Sequence, residues 1–207
     1  YDSNLCRIPS SDIQKNKEKV LSKYEENEFG RLIIKQYPTG AASVVTLRNH
    51  IEKLAMIDFV PSLIVIDYAD IMRSTRTYDS LRHELKLVYE ELRNLAMEMN
   101  IPIWTASQAN REASKADIVG LENMSEAYGK AMVADVVVSL SRKPMEKATG
   151  AGRLFVAKNR AGRDGLMFPV KIDTSMSFIE VMEDVAQLSI ADVVESNHMG
   201  TKNMLKS

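Results

Sequence analysis

Two polar residues that follow short apolar runs are of types suited to phosphate chemistry. Asp67 follows the apolar run at residues 63–66, and a carboxylate at the end of such a run can hold Mg²⁺ beside nucleotide phosphates. Gln108 comes shortly after the run at residues 103–106, and its amide can orient water or contact a γ-phosphate because it both donates and accepts hydrogen bonds. Taken alone, each is also compatible with an ordinary polar loop.

Two further segments concentrate positive charge. Residues 158–165 contain three cations, among them Lys158 and Arg160, between two apolar runs. This pattern predicts a hairpin tip that contacts either a neighbouring subunit's γ-phosphate or nucleic acid, with a solvated turn as the alternative. Arg73 and Arg76 precede a tyrosine, a combination that suits single-stranded nucleic acid through phosphate pairing and base stacking. A solvated surface loop explains that pattern equally well.

The elements that must position these residues alternate between helices and strands. Apolar spacing predicts helices over residues 43–58 and 79–99, the second with Asp79 as N-cap. The alternation predicts an α/β fold with a largely parallel sheet, whose carboxyl ends gather the ligand-binding residues. The remaining predictions are a polar helix within residues 10–28, strands at 32–34, 63–66, 103–106 and 136–138, a hairpin from 154–157 and 167–172, and an edge strand at 178–181.

Composition narrows the class of protein. The chain has 207 residues, enough for one domain with a real core. Its net charge of −1 gives no overall basicity of the kind that marks many nucleic-acid-binding domains. No run approaches the ~18 apolar residues of a membrane span. Cys6 is the only cysteine, so no internal disulfide can form, and we expect an intracellular, cytoplasmic protein.

Taken in order, these motifs resemble the ATPase domain of hexameric replicative DNA helicases, the DnaB-like family with a RecA-type core. The T-even-phage branch is the most similar. The resemblance covers roughly residues 30–181 and implies an α/β, RecA-like core with a mostly parallel sheet flanked by helices and a C-terminal hairpin. The segments that carry it are residues 35–39, 63–68, 92–98, 101–103, 107–111, 125–129, 134–137 and 158–162.

The resemblance also implies roles for individual residues. Asp67 is similar to the Walker B carboxylate that holds Mg²⁺, and Gln108 to the glutamine that senses the γ-phosphate of ATP. Lys158 and Arg160 resemble the pair offered to the next subunit's nucleotide. The loops after residues 71 and 111 resemble those that face single-stranded DNA in the channel of a six-membered ring, and phage members of the family work beside a primase. The implied nucleic-acid contacts are Arg73, Arg76, Arg111, Lys115 and Lys130. The two lysines are expected to substitute for an arginine that the family has where this chain has Ser125.

One family motif does not occur in these residues. A phosphate-binding loop requires G-x-x-x-x-G-K-[ST], but Gly129-Lys130 is the only Gly-Lys pair and is followed by Ala131. The family's catalytic glutamate belongs to the same missing region. We therefore expect residues 1–188 to be a partial ATPase domain, incomplete at its N-terminus, and residues 189–207 a polar tail.

Three hypotheses about function follow. The first is the C-terminal part of an ATP-dependent helicase whose isolated fragment does not hydrolyse ATP. The second is a non-catalytic DNA-binding or ring-assembly subunit with the same fold. The third is a RecA-like recombinase or clock-type ATPase, over which the resemblance of Tyr68 and residues 158–160 favours the helicase.

Overall fold

A computed structural model describes residues 2–26, 30–77, 80–108 and 128–182. The chain divides into two compact units. We call residues 35–137 and 158–161 the central unit, and residues 1–34, 138–157 and 162–207 the terminal unit. Among the described residues, no helix combines the length and apolar character that crossing a bilayer requires.

The two main helices of the central unit confirm the predicted periodicity. Helix α3 (Val44–Ala55) begins after Ser43, which forms a capping box with Thr46, so the first backbone N–H groups are satisfied. Helix α4 (Leu81–Met99) ends at Asn100, whose φ of 53° lies in the left-handed region that commonly terminates helices. The predicted N-cap, Asp79, lies outside the described residues.

Two short strands form a parallel pair in the central unit. Strand β1 (Ile64–Ile66) pairs with β2 (Ile103–Thr105), with Val65 opposite Trp104. Ile64, Ile66 and Ile103 pack against the helices, whereas Val65 and Trp104 on the opposite face are 70% and 62% exposed. A continuous apolar run such as residues 63–66 is typical of a strand covered on both faces, but among the described residues the outer face of β1 is open. The side chains alternate between a packed and an open face.

The core of the central unit lies where α3 and α4 meet the inner face of this pair. Leu95 and Val88 are its largest fully buried side chains, and burying one such side chain contributes about 1.5–3 kcal/mol. The heptad-like spacing of α4 places its apolar residues on this one face. The buried residues of the core are Val44, Ile51, Ala69, Val88, Tyr89, Leu92 and Leu95.

The central unit also contains α5 (Tyr128–Val133), the beginning of β3 (Val136–Ser141) and the end of β4 (Ala151–Asn159). Strands β3, β4, β5 (Leu166–Asp173) and β6 (Phe178–Val181) form one sheet in that order. The pairs β4–β5 and β5–β6 are antiparallel, which confirms the predicted hairpin and edge strand. The α/β class is confirmed as well.

Most of the remaining elements belong to the terminal unit. Helix α1 (Asp2–Cys6), two short 3₁₀ turns (Ser10–Asp12 and Gln14–Asn16) and α2 (Lys17–Glu26) precede its strands, and α6 (Pro144–Thr149) connects β3 to β4. Cys6, Ile8 and Val20 form a small core. Helix α2 agrees with the predicted polar helix, whereas α1 and α6 were not predicted.

One sequence expectation about strands is wrong, and another is confirmed with alternating exposure of its side chains. Residues 32–34 form no strand, and all three apolar side chains are exposed. Strand β3 exists, but its side chains alternate, and Val136, Val138 and Leu140 are exposed. An apolar run indicates that a segment can join a sheet, but it does not show which face acquires a covering layer.

Candidate functional site

The parallel register brings the segments after β1 and β2 to the same edge of the sheet. Ile66 and Thr105, the last residues of the strands, are partners. The Thr105 hydroxyl donates to the Ile66 carbonyl at 3.0 Å and accepts the Ala69 N–H at 2.9 Å. One hydroxyl therefore joins the end of β2 to the turn that follows Asp67.

Gln108 makes a second connection to that turn. Its Nε2 donates to the hydroxyl of Tyr68 at 3.2 Å, and both Asp67 and Gln108 are exposed. A carboxylate that can hold a cation and an amide that can hydrogen-bond water or a phosphate oxygen thus follow neighbouring strands. The structure places both at the sheet edge where the sequence predicted them.

Asp67 fits magnesium as one ligand of a site shared with a nucleotide. Within the described ranges, no group of three His, Cys, Asp or Glu side chains could hold a metal ion, and no ion pair engages Asp67. Mg²⁺ is commonly held by one or two carboxylates together with substrate phosphates and water. A single exposed carboxylate agrees with that donor set and not with a metal site made by the protein alone.

A buried polar network lies immediately beside this edge. The carboxylate of Asp70 accepts hydrogen bonds from Tyr89 at 2.7 Å and Ser107 at 3.1 Å. It also pairs with the ammonium group of Lys130 at 2.8 Å, and the two paired side chains are only 15% and 7% exposed. Lys130 Nζ in turn lies 3.5 Å from the Ser107 hydroxyl and 5.6 Å from the centre of the Tyr89 ring. We call these four residues the Asp70 network.

The charges in this network stabilise each other. Burial acts to raise the pKa of Asp70, but hydrogen bonds from Lys130, Tyr89 and Ser107, with the charge of Lys130, outweigh burial and hold it below its usual range. Burial and the hydrogen bond to Asp70 raise the pKa of Tyr89. Asp70 is therefore an anion and Tyr89 a neutral hydrogen-bond donor throughout the neutral range.

A second cluster surrounds the C-terminal end of α5. Lys158 Nζ donates to the carbonyls of Ala131 and Met132 at 3.0 and 2.9 Å. Asp135 pairs with Arg93 and with Arg160, each at 2.9 Å. The backbone N–H of Arg160 also donates to the Asp135 carbonyl at 2.9 Å. The structure thus brings together the predicted pair, Lys158 and Arg160, and adds Arg93 as a third cation.

The electrostatics of this cluster favour an anion. Burial and the nearby charge of Arg160 lower the pKa of Lys158, while Asp135 acts in the opposite direction. The nearby positive charge of Arg160 thus opposes protonation of Lys158, and an approaching phosphate would reduce that repulsion. The single carboxylate of Asp135 is shared between two guanidinium groups.

The predicted nucleic-acid-binding residues differ in their exposure to solvent. Arg73 and Arg76 are exposed on the loop after β1, in agreement with an accessible position. Arg111 and Lys115 lie outside the described residues. The expectation for Lys130 needs correction, because its ammonium group is buried against Asp70 and does not reach the surface. The sequence could not show this, since the partner lies far away in the chain.

Sequence reasoning missed the roles of Asp70, Tyr89 and Ser107. Ser107 was noted only as part of a motif, and Tyr89 lies on the apolar face of α4 among buried neighbours. A tyrosine within a helix core is a weak signal of a buried hydrogen-bond partner. Nothing local distinguishes buried Asp70 from exposed Asp67.

The described elements define a class of fold, the RecA-like α/β fold. The ATPase domain of G40P superposes with a TM-score of 0.69, covering 88% of this chain and 68% of that chain at 16% identity. A second match is a solved structure described as a DnaB-like replicative helicase and its interactions with primase, with the same TM-score and 15% identity. The match covers 88% of this chain and 46% of that chain. At such low identities these similarities establish the fold alone.

Sequence comparison identifies the family. The DnaB-like helicase C-terminal domain matches residues 3–178, and the chain belongs to this family. The DnaB-like replicative helicase of Enterobacteria phage T4 is 33% identical over 150 residues, which is 67% of this chain and 32% of the phage protein. A probable replicative DNA helicase of Trieres chinensis is 29% identical over 137 residues, 61% of this chain and 30% of that protein. The chain therefore spans about a third of the length of these relatives.

Proposed function

We propose that this chain is the C-terminal part of an ATP-dependent replicative DNA helicase that moves on single-stranded DNA as a ring of six subunits. The observation that supports this most is the parallel register of β1 and β2, since it sets Asp67 and Gln108 at one sheet edge. Membership of the DnaB-like family supports the replicative role. The chain alone is proposed not to hydrolyse ATP, because no phosphate-binding loop occurs in its sequence.

The residues divide the work as follows in this proposal. Asp67 holds Mg²⁺ together with the nucleotide, and the metal neutralises charge on the phosphates. Gln108 hydrogen-bonds the attacking water or the γ-phosphate, and its contact with Tyr68 sets its direction. Lys158 and Arg160 meet the nucleotide of the adjacent subunit, where a guanidinium stabilises the charge that develops during phosphoryl transfer.

Hydrolysis by the complete protein tests the metal and glutamine roles. Asp67→Asn and Gln108→Ala should each lower the rate of MgATP hydrolysis by at least tenfold, since each removes a group that acts on the reacting phosphate. Glu52→Gln, at an exposed position of α3, is the matched control and should keep the wild-type rate. Rates within twofold of wild type for both site variants would remove Asp67 and Gln108 from the reaction.

Mixed rings test the role of Arg160 in the adjacent subunit. Arg160→Ala in the complete protein should abolish hydrolysis but leave nucleotide binding mostly intact. When Arg160→Ala subunits are mixed with Asp67→Asn subunits, interfaces pairing a wild-type Asp67 with a wild-type Arg160 should restore part of the activity. Arg82→Ala, an exposed arginine on α4, is the control. Normal turnover by the Arg160 variant would refute the role.

Single-stranded DNA is the proposed partner of the loop that carries Arg73 and Arg76. Contacts to phosphates release counterions, so neutralising both should weaken binding and flatten its dependence on salt concentration. The same binding assay applies to Arg111 and Lys115. A primase is a further proposed partner, and the host cytoplasm is the proposed location if the protein is phage-encoded.

The second candidate function is a non-catalytic DNA-binding or ring-assembly subunit. The absence of G-x-x-x-x-G-K-[ST] from these residues favours it. DNA sequence upstream of the Tyr1 codon separates the two. An in-frame phosphate-binding motif within roughly a hundred codons supports the helicase, whereas a start codon near Tyr1 without that motif supports the binding subunit.

A further inference from the structure

The Asp70 network joins four separate segments of the central unit. Asp70 lies in the 3₁₀ turn after β1, and Ser107 follows β2. Tyr89 belongs to α4 and Lys130 to α5. The carboxylate of Asp70 thus receives a hydrogen bond or a charge contact from each of the other three segments, at distances between 2.7 and 3.1 Å.

Stability alone is a weak reason for such an arrangement. Removing two charges from water costs several kcal/mol, and replacing a buried pair with well-packed apolar side chains is often neutral or stabilising. Directional hydrogen bonds do what apolar side chains cannot, because they fix the orientation of the groups that donate them. The question is therefore which group the carboxylate orients.

The answer lies in the position of Ser107. It is the residue directly before Gln108, and its hydroxyl donates to Asp70. Gln108 donates to Tyr68, which lies two residues before Asp70. The same turn therefore holds Gln108 twice, once through its own side chain and once through the preceding residue.

We propose that Asp70 is a positioning residue for Gln108 and that it acts through the hydroxyl of Ser107. Lys130 keeps Asp70 charged in its largely buried position. The hydrogen bond from Tyr89 holds the carboxylate in one orientation. Loss of the Asp70–Ser107 bond leaves Gln108 in place but less well oriented. This inference rests on the proposed function, since it assigns a partner to the glutamine that contacts the γ-phosphate or water.

Kinetics of the complete protein form the first arm of the test. Ser107→Ala removes one hydroxyl and leaves the Asp70–Lys130 pair intact. It should lower kcat for ATP hydrolysis about tenfold, because small errors in orientation carry such costs, with KM within twofold of wild type. Ser107→Thr retains the hydroxyl and should recover most of kcat. Ser22→Ala, on α2, removes a hydroxyl that bonds only to the Lys19 carbonyl of its own helix among the contacts described, and should change neither constant.

A spectroscopic arm makes the result independent of ATP hydrolysis. In the ¹⁵N spectrum of the 207-residue chain, the side-chain amide of Gln108, assigned by Gln108→Ala, should shift or broaden in Ser107→Ala and in Asp70→Asn. It should be unchanged in Ser22→Ala and close to wild type in Ser107→Thr. A purely structural role would lower the melting temperature without moving this signal selectively.

Each result of the kinetic and spectroscopic experiments either supports or overturns the proposed role of Asp70. A moved amide signal with reduced kcat supports the proposal, and wild-type kcat in Ser107→Ala or an unmoved signal overturns it. If the complete wild-type protein hydrolyses no ATP, the proposed function fails. The amide signal then still decides whether Asp70 orients Gln108.

Discussion

Removing Lys130 should strongly destabilise the central unit, because it leaves the buried carboxylate of Asp70 without its cation. The two charged groups are 2.8 Å apart, and both side chains are largely buried. At an effective dielectric constant of about 20, two charges at this distance attract each other by about 6 kcal/mol. Much of that attraction offsets desolvation. Breaking a buried pair by deleting one partner typically costs about 3–5 kcal/mol.

We expect Lys130→Met to lie near the lower end of that range, about 3 kcal/mol, because Tyr89 and Ser107 still donate to Asp70. Asp70→Asn should cost about 2–3 kcal/mol, since it leaves the ammonium group buried without a charge partner. The double variant removes both charges and should lie within about 1.5 kcal/mol of wild type. The cycle then gives a coupling energy of several kcal/mol.

The pH dependence of folding stability provides a second test of the Asp70–Lys130 pair. In the wild type, the folded pKa of Asp70 lies below its unfolded value, so its contribution is present above the unfolded pKa and lost as pH falls through the folded pKa. In Lys130→Met, burial is opposed by fewer interactions and should raise the folded pKa. The penalty is then relieved as pH falls, and the two proteins should converge in stability as the pH passes below the folded pKa of Asp70 in the wild type.

Urea unfolding followed by circular dichroism measures these free energies, with the slope checked for constancy between variants. The matched control is Lys86 and Glu90, an exposed pair on α4 at 3.3 Å. Its coupling energy should be below about 0.5 kcal/mol. Additive effects of the Asp70 and Lys130 substitutions, or a Lys130→Met variant as stable as wild type, would refute the reasoning.

Three further predictions concern packing and charge. Leu95→Ala should cost about 2–5 kcal/mol in unfolding free energy, because Leu95 is fully buried; the same substitution at exposed Met97 should cost under about 0.5 kcal/mol. Gly152→Val should lower the free energy of unfolding by about 1–3 kcal/mol. A Cβ added at this position would lie 2.8 Å from Ile172 Cδ1 and 3.2 Å from the Ser141 carbonyl oxygen. Thermal unfolding should show no comparable loss for Gly30→Ala, which has open space around it. Arg73→Gln should reduce the magnitude of the salt slope of single-strand binding by about one, and an unchanged slope would exclude a phosphate contact.

The sequence predicted those elements whose pattern is local. Helix α4 could be recognised because its apolar residues recur over five turns, and the hairpin because two apolar runs flank a glycine-containing turn. The strand-edge placement of Asp67 and Gln108 also followed, since parallel strands present their carboxyl ends together. Each of these predictions rests on patterns within continuous stretches of the chain.

The errors concern interactions between distant segments. Residues 32–34 are as apolar as β1 but form no strand, because a strand exists only where another segment pairs with its backbone groups. Lys130 was assigned to nucleic acid as a substitute for a family arginine where this chain has Ser125. Its burial depends on Asp70, sixty residues earlier in the chain, and no local pattern encodes that pairing.

Asp67 and Asp70 show why residue type alone could not distinguish a carboxylate that can bind a cation from one that belongs to a structural network. They lie three residues apart after the same strand, yet Asp67 is exposed whereas the Asp70 side chain is only 15% exposed. Lys130 neutralises Asp70, so Asp67 contributes the accessible negative charge at this edge and can attract a cation without competition from its neighbour. The difference comes from the 3₁₀ turn, which directs one carboxylate outward and the other toward α4 and α5. If the turn sets both directions, a substitution that disrupts the Asp70 network should also weaken the site at Asp67.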